Sequence, residues 1–138
     1  MRIVETDHWC LLLSGEWSAE SEDGTVCIRD ADDVDEIRIS TLLQSADALL
    51  VGSTKEFAAR ESPDVTHWCE IKLGSFLGVM GQFIDQDAAV REWYVKSGKL
   101  LLYISHVCHI KDVGLDDAAV DELLETLVAS GSASVNYS

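Results

Sequence analysis

Turn signals fall at short intervals between residues 65 and 109, and that spacing constrains the fold more than any other feature of the chain. Gly74-Ser75, Asp85-Gln86-Asp87 and Ser97-Gly98 each separate two runs rich in apolar, β-branched and aromatic residues. Short runs joined by such turns pair as antiparallel neighbours, because a tight turn leaves no length for a crossover. The pattern predicts strands over residues 65–73, 76–84, 90–95 and 100–108. Gly78 and Gly81 lie inside the second run, where glycine marks a bulge or the close approach of another backbone. Trp93 and Tyr94 are adjacent in the third run and so point to opposite faces. At least one of them belongs to the core.

The N-terminal part reads in the same way. Residues 6–13 are strand-like, and Ser14-Gly15 turns the chain towards Trp17. Asp23-Gly24 is a hairpin signal, since both residues tolerate the positive φ of a tight primed turn. Residues 25–29 form the strand after it. Residues 37–42 alternate with period two, which places Ile37, Ile39 and Thr41 on one face.

Two segments change period. Ser45 or Asp47 is placed to cap a helix in which Leu49, Leu50, Phe57 and Ala58 recur at roughly helical spacing. Glu56 and Arg60 add a pair four residues apart, and Ser62-Pro63-Asp64 ends the segment because proline disfavours helix in the residue before it. A second helix starts at Asp116, with Asp116 and Asp117 suited to its dipole. Val120, Leu123, Leu124 and Leu127 form its apolar stripe, and Asp121, Glu122 and Glu125 face water. Residues 130–138 have no periodicity and are expected to be a flexible tail. The expectation is one α+β domain over residues 1–129, with a central antiparallel sheet of about six or seven strands packed with two helices.

Four segments carry a resemblance: Trp9-Cys10-Leu11-Leu12-Leu13-Ser14-Gly15-Glu16-Trp17, Glu92-Trp93-Tyr94-Val95-Lys96-Ser97-Gly98, Leu100-Leu101-Leu102-Tyr103-Ile104-Ser105, and Val120-Asp121-Glu122-Leu123-Leu124-Glu125-Thr126-Leu127. In their order the chain resembles the superfamily of the photosystem II extrinsic protein PsbP, the Ran-binding protein Mog and small bacterial DcrB-like proteins. Where many members carry a proline before the first-strand tryptophan, this chain has Ser14-Gly15. The resemblance implies an α+β sandwich around an antiparallel sheet. It implies no common reaction, because members are chiefly binding or assembly proteins.

Charge narrows the partners. There are 25 acidic and 10 basic side chains, a formal net charge of −15. The basic residues are scattered, whereas a nucleic-acid surface needs them clustered. No apolar run approaches the length of a membrane span. Glu5 and Asp7 interrupt the apolar stretch that an export leader requires, so the expected location is the cytoplasm. Cys10, Cys27, Cys69 and Cys108 contain no Cys-x-x-Cys pair and are expected to be reduced, buried, small hydrophobes.

Three local groups invite chemistry: His8-Trp9-Cys10, His67-Trp68-Cys69 and His106-Val107-Cys108-His109. Residues two apart on a strand share a face, so each group sets one histidine beside one cysteine. Convergence of two groups would make zinc ligands, although none has zinc-finger spacing. A cysteine nucleophile needs its base within hydrogen-bond reach. The rise of a strand instead leaves such a pair about 6–7 Å apart. Asp30, Asp32, Asp33, Asp35 and Glu36 resemble a calcium loop only in composition. An EF-hand beginning at Asp30 would need glycine and glutamate where Asp35 and Thr41 stand.

The expected function is therefore that of a non-catalytic, acidic protein-binding domain. An immunity or inhibitor protein against a basic toxin and an accessory factor in assembly or secretion both fit. The expected partner is a basic protein, with no cofactor, nucleic acid or membrane. Asp30, Asp32, Asp33, Asp35 and Glu36 are the candidate contact residues. The alternative is a metal-binding or Cys/His-dependent enzyme that uses the three groups.

Overall fold

The computed structural model describes residues 1–43 and 53–130. Seven strands form one antiparallel sheet in the order β3-β4-β5-β9-β8-β7-β6. They are β3 (Trp17–Glu22), β4 (Thr25–Asp30), β5 (Glu36–Leu43), β6 (Cys69–Leu73), β7 (Phe76–Asp85), β8 (Ala88–Ser97) and β9 (Leu100–His109). A second sheet of three short strands has the order β1-β2-β10, with β1 (Arg2–Glu5), β2 (Trp9–Leu13) and β10 (Val128–Ala129). Two helices complete the described residues, α1 (Thr54–Glu61) and α2 (Asp117–Leu124), and a 3-10 turn at Ile110–Asp112 leads towards α2.

The expected turns close the expected hairpins. Asp23 (φ 47°) and Gly24 (φ 81°) both adopt positive φ between β3 and β4, which suits the right-handed twist of the two strands. Register then follows from burial. Ile37 pairs with His106 and Ile39 with Ile104, and all four side chains lie on the buried side. A slip of one residue would turn every one of them outward.

The large sheet is covered on both faces. On one face Trp93, Ile104, Ile37 and Ile39 pack with Trp9, Leu11 and Leu13 of β2 and with Val120, Leu123, Leu124 and Leu127 around α2. On the other, Tyr94 packs with Val79, Ala58, Val65 and Trp68. Tyr94 also takes the edges of Phe57 and Trp68, each with a ring-centroid distance of 5.7 Å. Its hydroxyl pairs with the Ser62 hydroxyl at 2.8 Å. Both Trp93 and Tyr94 are therefore core residues, one in each layer.

Gly78 and Gly81 explain how the strands and the covering segment come so close. A Cβ on Gly78 would run into the Tyr94 carbonyl on β8, and one on Gly81 would collide with the Val65 side chain. The close approach expected at both positions is present.

Several boundaries differ from expectation. The segment 6–13 is not one strand. The Thr6 hydroxyl accepts the N–H groups of His8 and Trp9 at 3.2 and 3.0 Å, and this local turn separates β1 from β2. The segment 65–73 is strand only from Cys69, because Val65 and Trp68 leave the sheet plane to cover Gly81. The helix placed after Ser45 is described only from Thr54, with Ser53 accepting the Glu56 N–H at its cap. Ser45, Asp47, Leu49 and Leu50 lie outside the described residues. It ends at Glu61, as Pro63 requires. All four cysteines lie in strands and none is in a disulfide. Cys69 departs from the buried expectation: it is exposed, on the edge strand β6.

Candidate functional site at the acidic end of the sheet

The core face of the large sheet does not stay apolar to its end. Along β8 the inward alternation Val95, Trp93 continues to Arg91. Along β9, Leu102 and Ile104 lead to His106 and Cys108, and beyond the start of β5 the same face continues from Ile37 to Asp35. Strand pairing sets Arg91 opposite His106 and His106 opposite Ile37. The period of two therefore delivers a row of polar groups where the covering layer runs out.

The groups in this row are bonded to one another. The His106 Nε2 lies 2.8 Å from Asp35 Oδ1, and Arg91 Nε donates to His106 Nδ1 at 3.2 Å. Arg91 Nη1 reaches Asp121 at 2.9 Å, and Nη2 stands 3.5 Å from Asp117 as an ion pair without hydrogen-bond geometry. The guanidinium also lies over the Trp93 ring, 4.8 Å from its centroid. Asp35, Arg91 and His106 are 3%, 8% and 2% exposed, so these contacts are desolvated on the sheet side and screened only at the helix carboxylates.

This geometry assigns the histidine proton. A guanidinium N–H can only donate, so Nδ1 accepts and the neutral ring carries its hydrogen on Nε2, towards Asp35. Burial, and then the charge of Arg91, push the His106 pKa down to about 4. Burial holds the Asp35 carboxyl above its ordinary range against the opposing effect of its contact with Asp116, and Asp30, Asp112 and Asp117 add to the rise. Burial, followed by the charge of Asp35, raises the Cys108 thiol.

The consequence for chemistry is direct. His106 and Cys108 share a face, as their spacing requires, but both imidazole nitrogens are already engaged. The thiol has no free imidazole beside it among the described residues, and its raised pKa keeps it protonated at neutral pH. Ligand atoms of Asp35, His106 and Cys108 do lie within 4.8 Å of one another. A metal on Nε2 would move the hydrogen to Nδ1, where it would face the Arg91 N–H, donor against donor. Among the described residues, the groups of His, Cys, Asp and Glu that could hold a metal include no member of the other two His/Cys groups.

A pH prediction follows from His106. The unfolded chain binds a proton there below about 6.5, whereas the folded protein does not until about 4. Stability at this residue is therefore lost as pH falls through that window, by about 3 kcal/mol in total. Against a His106→Gln variant, the wild-type unfolding free energy should drop progressively between those two pH values. Parallel curves from urea denaturation would refute the assignment of a neutral, buried ring.

The acidic loop divides between inside and outside. Asp30 Oδ1 accepts the N–H groups of Val34 and Asp35 at 2.9 and 3.0 Å, shaping the loop. Asp35 is buried, so it is not the exposed contact expected of it. Glu36 lies between Arg29 and Arg38 at 2.9 and 2.7 Å. Asp32 and Asp33 remain exposed. Sequence reasoning missed Arg91 altogether. Its signal was a charged residue in phase with Trp93 and Val95 on a central strand.

Three connections meet at this end. Glu36 pairs with Val107, Ala88 with His109, and Asp85 with Ala88. The loop 31–35, the turn 86–87 and the connection 110–116 are therefore neighbours. With the end of β7, they present exposed carboxylates at Asp32, Asp33, Asp85 and Asp87. They also present apolar side chains to solvent: Ile84 is 54% exposed, Val113 58% and Leu115 69%. Ile84 and Val113 line a cleft of about 260 Å³ with Arg91, His106 and Cys108 at its walls. That volume is below the range of about 300–1,000 Å³ for drug-sized ligands.

Comparison with known proteins places this site on a recognised scaffold. No family model matches the chain, and no curated protein matches it. Among solved structures, a crystal structure from Bacteroides thetaiotaomicron VPI-5482 superposes with a TM-score of 0.65 at 16% identity, over 88% of this chain and 44% of that one. This chain thus spans less than half the length of that protein. The solution structure of cyanobacterial PsbP (CyanoP) from Synechocystis sp. PCC 6803 superposes with the same TM-score of 0.65 at 8% identity, over 88% of this chain and 86% of that one. The protein has an α+β, PsbP-like fold. At this level of identity the likeness concerns architecture alone.

Proposed function

We infer that the protein is a non-catalytic binding domain whose acidic end engages a basic protein partner. The observation that carries this reading is the exposure of Ile84, Val113 and Leu115 among the carboxylates of Asp32, Asp33, Asp85 and Asp87. Apolar side chains give an interface its buried centre, and the surrounding charge selects and steers the partner. The net charge of −15 extends the same field over the molecule. An inhibitor or immunity protein against a basic toxin, acting in the cytoplasm, is one role consistent with these features. An accessory factor in assembly or secretion is the other.

The cleft beside Cys108 and His106 favours a second reading, a metal-binding or Cys/His-dependent enzyme. The engagement of both His106 nitrogens and the raised thiol pKa oppose it.

Affinity capture from the native host supplies the partner, and kinetics then test the surface. Asp32→Asn with Asp33→Asn should slow association and flatten its salt dependence, leaving dissociation nearly unchanged, because exposed charges act mainly on encounter. Val113→Asp with Leu115→Asp should speed dissociation at least about tenfold. An acidic partner, or rates unaffected by both double variants in stopped flow, would overturn the proposal.

A further inference from the structure

Asp116 occupies the N-cap of α2, yet its side chain makes no capping hydrogen bond. An aspartate at this position ordinarily accepts an N–H from the first turn of the helix. Here carboxylate oxygens of Asp30, Asp35 and Asp116 gather within 4.8 Å of one another, from the end of β4, the lead-in to β5 and the start of α2. Asp35 is 97% buried by its 3% exposure, and its Oδ2 has no hydrogen-bond partner. Its other oxygen is taken by His106, and Asp30 Oδ1 serves the loop backbone. The charges acting on the pair of Asp35 and Asp116 are mainly further carboxylates, among them Asp30, Asp112 and Asp117.

Three converging carboxylates with a buried, unpartnered oxygen are stabilised by a positive charge among them. We propose that Asp30, Asp35 and Asp116 bind one hard divalent cation, Ca²⁺ or Mg²⁺, which ties the acidic loop to the start of α2. Oxygens on one Ca²⁺, each at about 2.3–2.6 Å, stand no more than about 5 Å apart, which matches the spacing of the cluster. The donor set is all oxygen, the preference of hard cations over zinc. Asp35 and Asp116 bring two carboxyl groups together beside a third, and like charges so placed repel. The cation would convert that repulsion into coordination. This inference is independent of the partner reading, since the site involves neither Val113 nor Leu115.

Titration calorimetry on the full chain, stripped with EDTA and held at pH 7.5, tests it with CaCl₂, MgCl₂ and ZnCl₂. One equivalent of Ca²⁺ or Mg²⁺ should bind saturably. Asp116→Asn and Asp30→Asn should each weaken binding at least about tenfold, whereas Asp32→Asn, which removes the same charge from the exposed part of the loop, should not. In thermal melts the cation should raise the midpoint of wild type and Asp32→Asn but not of Asp116→Asn. Without cation, Asp116→Asn should melt no lower than wild type, because it relieves the repulsion. That melt also shows that the variant folds. Three outcomes would overturn the proposal. One is no saturable binding of either hard cation. Another is equal weakening by Asp32→Asn and Asp116→Asn, the mark of a diffuse ion atmosphere. The third is a preference for zinc that survives Asp116→Asn and disappears in Cys108→Ser.

Discussion

Replacing Arg91 by leucine is expected to lower the unfolding free energy by about 3 kcal/mol, near the low end for breaking a buried ionic contact. The value is not higher because Asp117 and Asp121, its carboxylate partners, are 41% and 54% exposed and recover hydration when the arginine is gone. What cannot rehydrate is His106, whose Nδ1 loses its Arg91 donor while the ring stays buried. The leucine would still pack on Trp93, so lost burial is not the cause. Arg91→Lys should fall between the two, since a lysine keeps the charge without the planar fork that serves the imidazole and the helix together. Urea denaturation at pH 7 measures all three proteins. A loss below about 1 kcal/mol for leucine, the scale of surface substitutions, would mean that the row of polar groups is not a connected network.

Leu124→Ala should cost about 2–5 kcal/mol, the range for a buried leucine that leaves a cavity. Leu124 is fully buried beside Val120, Leu123 and Leu127, between α2 and the core that β2 and the large sheet share. The cost should lie in the upper half of that range, because rigid strands border the site and leave little room for collapse. The effect reaches function through geometry: α2 carries Asp116, Asp117 and Asp121 to the acidic end. A helix that shifts to fill the cavity would move those carboxylates as well. An equilibrium change of less than about 1 kcal/mol would show that α2 is not packed as described.

The sheet was legible because its signals are local. Asp23-Gly24, Gly74-Ser75, Asp85-Gln86-Asp87 and Ser97-Gly98 are turn chemistry, and period-two alternation between them selects which side chains face inward. The stripe of Val120, Leu123, Leu124 and Leu127 is equally local, and all four residues are buried. The short strands β1 and β10 were not legible, since two to four residues carry too little pattern and exist only by pairing with β2.

The chain alone determined the antiparallel sheet, the docked face of the last helix and the strong negative charge, because each is a property of residues near one another in sequence. Only the tertiary structure decided which acidic residues do what. Asp32 and Asp35 belong to one loop and look alike in sequence. One faces water, while the other is buried against His106, which lies 71 residues away in the chain. Likewise Asp116 reads as the first residue of the last helix, suited to its dipole, but its carboxylate gathers with those of Asp30 and Asp35. The physical reason is that a carboxylate's role depends on its solvation and on the charges that face it. Those are set by contacts between distant segments, which no local pattern encodes.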